Sequence, residues 1–209
     1  MKKILLVLVL VLGMAGAAWA ETFTLNNFNV ALNNTDPGLA LQSELIQTAP
    51  FSFDLNVGGS TTFDLFKIWT GESTVNYGED EVQSPISVSM NFSAPPPPFG
   101  SSVDGVTFGV HNGLFTRWGY EYFSEQYGEV NWDGPVTFYF GPQGNGELVI
   151  SLSDETFNWG MYGLWSGEYF GAEIEATAFY RAAPVPEPTT MLLLGLGLLG
   201  VAGIRRFKK

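Results

Sequence analysis

The side chains that most often perform catalysis are scarce in this sequence. The chain contains one histidine, His111, and no cysteine. The lack of cysteine removes thiolate nucleophiles, and a single histidine cannot supply the ligand set of a zinc or iron centre. A Ser-His-Asp triad would have to use His111, yet the sequence has no Gly-x-Ser-x-Gly turn. We therefore predict no catalytic residue and a protein that is not an enzyme, with His111 in a loop or turn.

Carboxylates are plentiful, with 21 Asp and Glu residues. A glycosidase would need two of them facing a sugar about 5–9.5 Å apart, a distance that sequence cannot give. The triplet Glu79, Asp80 and Glu81 lies on a turn signal and could collect carboxylate oxygens around calcium, although it lacks the spacing of a calcium loop. Its alternative is an acidic loop tip on the surface. No other metal or cofactor is predicted.

Aromatic side chains are the second group that could bind a ligand. Five of the 6 tryptophans lie in the body of the chain: Trp69, Trp118, Trp132, Trp159 and Trp165. Exposed aromatic faces stack on sugars, whereas buried ones fill sandwich cores, and the sequence leaves both roles open. Residues 158–167 are the least strand-like and most aromatic stretch. We therefore predict that a carbohydrate contact, if present, uses Trp159, Tyr162 and Trp165.

The charge of the chain is divided unevenly between its body and its ends. Of 9 Lys and Arg residues, the body contains Lys67, Arg117 and Arg181, whereas Glu187 is the one acidic residue outside it. Such an acidic body repels nucleic acid and anionic lipid surfaces, so we predict no nucleic-acid partner. Residues 21–183 are long enough for one domain with its own core and do not require disulfides.

The elements that must position these residues are predicted to be short β-strands. Apolar and polar residues alternate without a break at 51–57 and 86–92, and 147–152 keeps an apolar inward set. Residues 22–32 alternate until the phase slips at Asn26 and Asn27, which predicts a β-bulge. Weaker strand patterns occupy residues 61–69, 103–110, 117–123, 136–140 and 172–181.

Turn signals separate these strands, and residues 39–47 form the single stretch that could be a helix. The predicted turns are Gly58-Gly59, Gly78-Glu79-Asp80, Asp104-Gly105, Asn112-Gly113, Asp133-Gly134 and Gly144-Asn145-Gly146. Residues 95–98 are four prolines that we expect to stiffen a connection between two strands. The pattern predicts an all-β domain, an antiparallel β-sandwich or jelly roll, over residues 21–183.

The N-terminus has the layout of a secretory signal peptide. Two cations, Lys2 and Lys3, precede the apolar run 4–12, and the small residues Ala18 and Ala20 follow it. This layout predicts a signal helix over residues 1–20 and cleavage by signal peptidase after Ala20. An uncleaved anchor helix is the alternative, which the short apolar run and the small residues disfavour.

The C-terminus predicts a membrane-crossing helix with its charged end inside. Residues 189–204 would span about 24 Å as a helix, somewhat less than a hydrocarbon core of about 30 Å. The four cations that follow should stay in the cytoplasm and place the body outside: Arg205, Arg206, Lys208 and Lys209. Ahead of the helix, Pro186, Glu187 and Pro188 form a stiff extended step that cannot join it.

This tail, residues 184–209, resembles the PEP-CTERM sorting signal of Gram-negative bacteria, with a Pro-Glu-Pro motif, a glycine-rich apolar helix and a basic end in that order. The resemblance implies that the chain is a substrate of exosortase, a membrane-embedded cysteine transpeptidase, with Pro186, Glu187 and Pro188 as the recognition residues. The resemblance also implies that the protein is associated with exopolysaccharide outside the cell. An ordinary single-pass anchor with a chance Pro-Glu-Pro is the alternative on topology alone.

Three functions are compatible with these observations. The first is an exported structural protein of the cell surface or biofilm matrix, held in the cytoplasmic membrane by one span before processing. The second is a carbohydrate-binding module, which exposed tryptophans and tyrosines in a groove would favour. The third is a secreted hydrolase, which would need two carboxylates facing each other in a cleft.

Overall fold

The computed structural model describes residues 20–117 and 120–182, with Gly195 and Gly197, and its described side chains exclude residues 114–123. Within these residues the chain forms strands β1 Glu21–Ala31, β2 Leu41–Leu45, β3 Phe51–Leu55, β4 Ser60–Thr70, β5 Ser84–Ala94, β6 Phe99–Arg117, β7 Tyr120–Trp132, β8 Val136–Phe140, β9 Gly146–Leu152, β10 Glu155–Met161 and β11 Ala172–Ala182. A short 3₁₀ helix, Glu168–Phe170, precedes β11.

The strands form two antiparallel sheets, which confirms the all-β prediction. The six-stranded sheet has the order β10-β7-β6-β5-β1-β3, and the five-stranded sheet has the order β2-β4-β11-β9-β8. The predicted signal helix lies outside the described residues except for Ala20, and the predicted C-terminal helix does so except for Gly195 and Gly197, whose backbone is helical. Among the described residues, no helix has the length and apolar character needed to cross a membrane.

The alternation of apolar and polar residues decides which face of each strand is buried. In β5 and β11 nearly every second side chain is buried, as expected for strands with one face on a core. In β1 the buried residues are Phe23 and Leu25 and then Phe28, because the register against β5 shifts around Leu25. The predicted bulge at Asn26 and Asn27 is thereby confirmed, and it keeps Phe28 on the core side.

Phenylalanine rings fill the space between the two sheets. Phe23 of β1 meets Phe140 of β8 edge to face with ring centroids 5.3 Å apart. Phe92 of β5 meets Phe138 of β8 in the same way at 5.8 Å. All four side chains are at most 1% exposed. These contacts join strands of opposite sheets, so the two layers share one core.

Residues 39–47, whose sequence could also have formed a helix, contain β2, which pairs with β4. On a helix, Leu41 and Leu45 would share one face. In the structure Leu41 is 1% exposed and Leu45 is 52% exposed. The two leucines therefore do not share a buried face, as they would on a helix, because strand pairing with β4 buries Leu41 and leaves Leu45 exposed.

Two predicted turns are wrong, since Asp104-Gly105 and Asn112-Gly113 both lie inside β6. Asn112 pairs with Glu125 of β7 and Gly113 pairs with Ser124. His111 consequently lies in a strand opposite Gln126 rather than in a loop. Long-range pairing with β7 outweighs the local turn preference of these dipeptides.

Strand β10 was not predicted, and its backbone explains why. Its pairing with β7 is interrupted between Phe157 and Gly160, and Asn158 has a φ of 53°. This irregularity breaks the alternation by which a strand is recognised in sequence. Similarly, residues 117–123 do not form one strand, because β6 ends at Arg117 and β7 begins at Tyr120.

Candidate functional site

The segment between β10 and β11 is organised by one buried side chain, Asn158. Its Oδ1 accepts a hydrogen bond of 2.8 Å from the Thr70 N–H. Its Nδ2 donates to the carbonyl oxygens of Trp165 and Gly167, the latter at 3.0 Å. One amide thus satisfies backbone groups from both β4 and the segment, which fixes the segment against the five-stranded sheet.

Close backbone packing determines the path of the same segment. A Cβ on Gly160 would lie 2.3 Å from the carbonyl oxygen of Gly163, so only glycine fits there. Leu164 is 5% exposed and anchors the segment in the core, while its N–H donates to Ser73 O at 2.9 Å. With Leu164 directed inward, the neighbouring Trp165 lies at the surface, where it is 47% exposed.

Four aromatic rings form a continuous row on this surface, which we call the aromatic row. Trp159 and Trp165 lie 5.5 Å apart edge to face, Trp165 and Phe170 lie 5.2 Å apart, and Phe170 and Tyr169 lie 5.0 Å apart. Their exposed fractions are 40% for Trp159 and Phe170, 47% for Trp165 and 88% for Tyr169. The row therefore offers partly exposed aromatic surface, the kind on which sugar rings stack.

The structure brings two of the three predicted carbohydrate contacts into direct contact and keeps the third nearby in the chain. Trp159 and Trp165 belong to the aromatic row, and the indole N–H of Trp159 donates to the Glu125 carboxylate. Tyr162 is 66% exposed, and its backbone N–H donates to Ser124 O at 2.8 Å. Phe170 was missed, although its place beside Tyr169 just before a predicted strand was a usable signal.

The other tryptophans have different surroundings. Trp132 is 8% exposed, and its indole N–H donates to Ser153 O at 3.0 Å, so it belongs to the core. Trp69 is half-buried and donates to Gln42 Oε1 at 3.1 Å, in an open groove of about 690 Å³. Trp118 lies outside the described residues.

Three carboxylates from different segments converge near one end of the sandwich, and we call them the acidic cluster. Asp36 comes from the connection between β1 and β2, Glu72 follows β4, and Asp80 lies in the turn before β5. One carboxylate oxygen from each lies within 4.8 Å of the other two. Asp36 is exposed, Glu72 is half-buried and Asp80 is fully buried, so the cluster runs inward from the surface.

The backbone holds two of these carboxylates in position. Glu72 Oε1 accepts a 2.6 Å hydrogen bond from the Ala40 N–H, and Asp80 Oδ2 accepts one of 2.6 Å from the Asn76 N–H. The Gly109 N–H of β6 donates to the Asp80 carbonyl oxygen at 2.7 Å. Burial raises the pKa of Glu72, and the hydrogen bond from the Ala40 N–H opposes this rise. The negative charges of Asp80 and Asp36 and a side-chain hydrogen bond with Asp80 raise the pKa further.

The acidic cluster differs from the triplet that the sequence indicated. Asp80 meets Asp36 and Glu72, whereas the Glu81 carboxylate accepts a 3.2 Å bond from the Gly78 N–H on its own turn. Glu79, like Glu81, is not part of the cluster. Consecutive residues of a turn project in different directions, so a sequence triplet does not make a ligand set.

The tail is characterised by comparison with known families. The family model of the PEP-CTERM protein-sorting motif matches residues 184–206. This chain carries a PEP-CTERM sorting motif. The matched residues include Pro186, Glu187 and Pro188 and the first two cations of the basic end, Arg205 and Arg206. Lys208 and Lys209 follow after one further residue. No curated protein and no solved structure matches the chain.

The PEP-CTERM motif identifies the chain as an exported protein that exosortase processes. The predicted recognition residues and basic cluster lie outside the described residues, as does Ala18. Ala20 is described and exposed, and β1 begins at the next residue, Glu21. Cleavage after Ala20 would therefore leave β1 complete.

Proposed function

We propose that this PEP-CTERM protein is a non-enzymatic structural component of the cell surface or extracellular matrix, associated with exopolysaccharide or biofilm. The sorting motif at residues 184–206 is the observation that carries the proposal. The tail would hold the chain in the cytoplasmic membrane by one span, with the β-sandwich outside, until exosortase acts near Pro186. Signal peptidase and exosortase are its processing partners.

The composition of the body supports this placement. Its many acidic residues and few cations keep the domain soluble and away from anionic lipid surfaces and nucleic acid. The acidic cluster does not present a carboxylate pair to a sugar, because Asp80 is fully buried, and this supports the non-enzymatic role. A glycosidase needs both carboxylates at the sugar.

Mass spectrometry of the protein from its host, with and without the exosortase gene, tests the sorting claim. We expect a C-terminus cut near Pro186 only when the enzyme is present, and an N-terminus at Glu21 in both strains. An intact C-terminus in both strains would overturn the proposal. Replacement of Pro186, Glu187 and Pro188 by alanine should reproduce the uncut form while leaving the N-terminal cleavage unchanged.

The aromatic row favours a second function, carbohydrate binding by the β-sandwich. Each sugar stacked on an exposed ring would bury apolar C–H surface against the ring face, and the Glu125 carboxylate beside Trp159 could accept a hydrogen bond from a sugar hydroxyl. Because the bond to Trp159 and the contact with Trp165 restrain both indoles, little side-chain entropy would be lost on binding.

Binding to purified exopolysaccharide of the host tests this second function. We expect Trp159→Ala and Trp165→Ala each to weaken binding at least about tenfold, as losses of a stacking platform do. Tyr139→Ala is the matched control, since Tyr139 is 60% exposed but lies on β8, an edge strand separated from β4 by β11 and β9. Equal binding by all three variants and the wild type would exclude the aromatic row as the contact surface.

A further inference from the structure

The acidic cluster contains a buried oxygen atom that the described protein leaves without a hydrogen-bond donor. Asp80 is 0% exposed, and its Oδ1 has no hydrogen-bond partner among the described residues. Its other oxygen, Oδ2, is occupied by the Asn76 N–H at 2.6 Å. Buried polar atoms are nearly always satisfied, so this oxygen requires either a bound cation or a proton shared with a neighbouring carboxyl group such as that of Glu72.

Protein cations do not fill this role in the described part of the chain. Among the Lys and Arg side chains described there, the ion pair formed is Arg181 with Glu147 at 3.5 Å, on β11 and β9. When ionised, Asp36, Glu72 and Asp80 repel one another, because their carboxylate oxygens lie within 4.8 Å of each other. Partial burial strengthens that repulsion, because a low local dielectric screens charge poorly.

The spacing of these oxygens fits a single metal ion. Oxygen ligands lie about 2.3–2.6 Å from calcium, so two oxygens on opposite sides of one ion are about 5 Å apart. The oxygens of the acidic cluster are all within 4.8 Å of one another and can therefore contact the same ion. We propose that Asp36, Glu72 and Asp80 bind one calcium ion in the exported protein.

The chemistry of the cluster distinguishes calcium from other divalent metals. The three carboxylates supply hard oxygen ligands and no imidazole or thiolate, which disfavours zinc and copper. Magnesium demands near-ideal octahedral geometry and releases its water reluctantly, whereas calcium accepts six to eight oxygens in irregular arrangements. Backbone carbonyls and water can complete such a shell around the three carboxylates.

The bound ion would tie together parts of the chain that are distant in sequence. Asp36 belongs to the β1–β2 connection, whereas Glu72 and Asp80 both belong to the β4–β5 connection, eight residues apart. The Ala40 N–H already links the first connection to Glu72 at 2.6 Å. Calcium would neutralise the repulsion between these segments and stabilise the native state, and exposed Asp36 marks the route by which it enters.

Thermal unfolding of the full-length chain in a non-ionic detergent tests the proposal, with EDTA, calcium chloride or magnesium chloride at matched ionic strength. Calcium sites of extracellular domains bind at about 10⁻⁴–10⁻³ M. We expect 10 mM calcium to raise Tm by about 3–10 °C over EDTA, and magnesium to raise it less. No difference in Tm between calcium and EDTA would overturn the proposal.

Charge-removing variants locate the ion. Asp36→Asn, Glu72→Gln and Asp80→Asn should each lower calcium affinity at least about tenfold in calorimetric titrations. Glu79→Gln is the matched control, since Glu79 lies on the same turn as Asp80 but outside the acidic cluster, and it should retain wild-type affinity. Calcium affinity that survives in all three cluster variants would overturn the assignment.

A loss of folding in Asp80→Asn would not obscure the result. Asp36 is exposed and its charge repels the other two carboxylates, so Asp36→Asn should have a Tm in EDTA at least equal to that of the wild type and yet lose the rise with calcium. An Asp36→Asn protein that keeps the full rise would contradict the proposal. A circular dichroism spectrum in EDTA that matches the wild type shows that the variant is folded. The missing increase in Tm with calcium then reports the loss of ion binding and not misfolding.

Discussion

The protein has two groups of contacting aromatic rings that resemble each other in geometry and differ in surroundings. Between the sheets, Phe23, Phe92, Phe138 and Phe140 are at most 1% exposed, with centroids 5.3 and 5.8 Å apart across the layers. In the aromatic row, centroids are 5.0–5.5 Å apart, but the rings are 40–88% exposed. Ring spacing is thus the same whether a cluster builds a core or a surface.

The two groups differ in exposure because the core rings are covered on both faces, whereas the rings of the aromatic row are covered on one face. Core phenylalanines are covered by strands of both sheets, so every face loses its water. The aromatic row rests on a segment held by Asn158 and anchored by Leu164, with solvent on its outer side. A row that is fixed from below and open above is suited to binding, whereas a ring covered on both sides stabilises the native state.

Truncation of a core ring should have the largest effect on stability. Phe92→Ala removes a fully buried ring that contacts Phe53, Phe99 and Phe138. We expect the free energy of unfolding to fall by about 3–5 kcal/mol, measured by urea denaturation. A loss below about 1 kcal/mol would show that the two groups of rings do not differ as their burial indicates.

Removal of the Asn158 amide, which holds the segment below the aromatic row, should have an intermediate effect on stability. Asn158→Ala leaves the buried Thr70 N–H without its 2.8 Å acceptor and forces alanine to adopt a φ of 53°. We expect a loss of about 2–4 kcal/mol in urea denaturation, together with weaker glycan binding. Asn158→Gly relieves the backbone strain but does not restore the hydrogen bonds, so it should be about 1 kcal/mol more stable than Asn158→Ala.

Truncation within the aromatic row should have the smallest effect on stability. Trp165→Ala removes ring contacts with Trp159 and Phe170, and we expect it to cost about 1 kcal/mol of unfolding free energy. Tyr169 is 88% exposed, so Tyr169→Ala should change stability by less than about 0.5 kcal/mol. If Trp165→Ala lowered the unfolding free energy as much as Phe92→Ala, Trp165 would belong with the rings between the sheets and not with the aromatic row.

Sequence periodicity predicted most of the strands because the two-residue repeat of a strand is local. The confirmed bulge in β1 shows that even a break in the repeat is informative when apolar residues resume on the same face, as Phe28 does. Strand β10 was missed because Asn158 and Gly160 interrupt the repeat to accommodate contacts with Thr70 and Gly163. Thr70 is distant from Asn158 in sequence, and Gly163 approaches Gly160 across a tight turn, so local alternation does not reveal either contact.

Turn signals were less dependable than alternation. Asn112-Gly113 is a strong hairpin dipeptide, yet β6 runs through it to Arg117. Gly109 in the same strand lies below Val75 and Asp80, whose side-chain carbons would be 2.8 and 3.3 Å from an added Cβ. Glycine in β6 therefore makes room for an overlying segment, a role that a turn dipeptide alone does not reveal.

The sequence by itself determined the sorting motif at residues 184–206 and most of the inward faces of the strands. Charge order around apolar runs and the repeat of a strand are both properties of neighbouring residues. Only the tertiary structure decided which aromatic rings stay at the surface and that Asp36, Glu72 and Asp80 converge. Burial and ligand geometry arise when segments far apart in the chain meet, and the sequence pattern contains no measure of those distances.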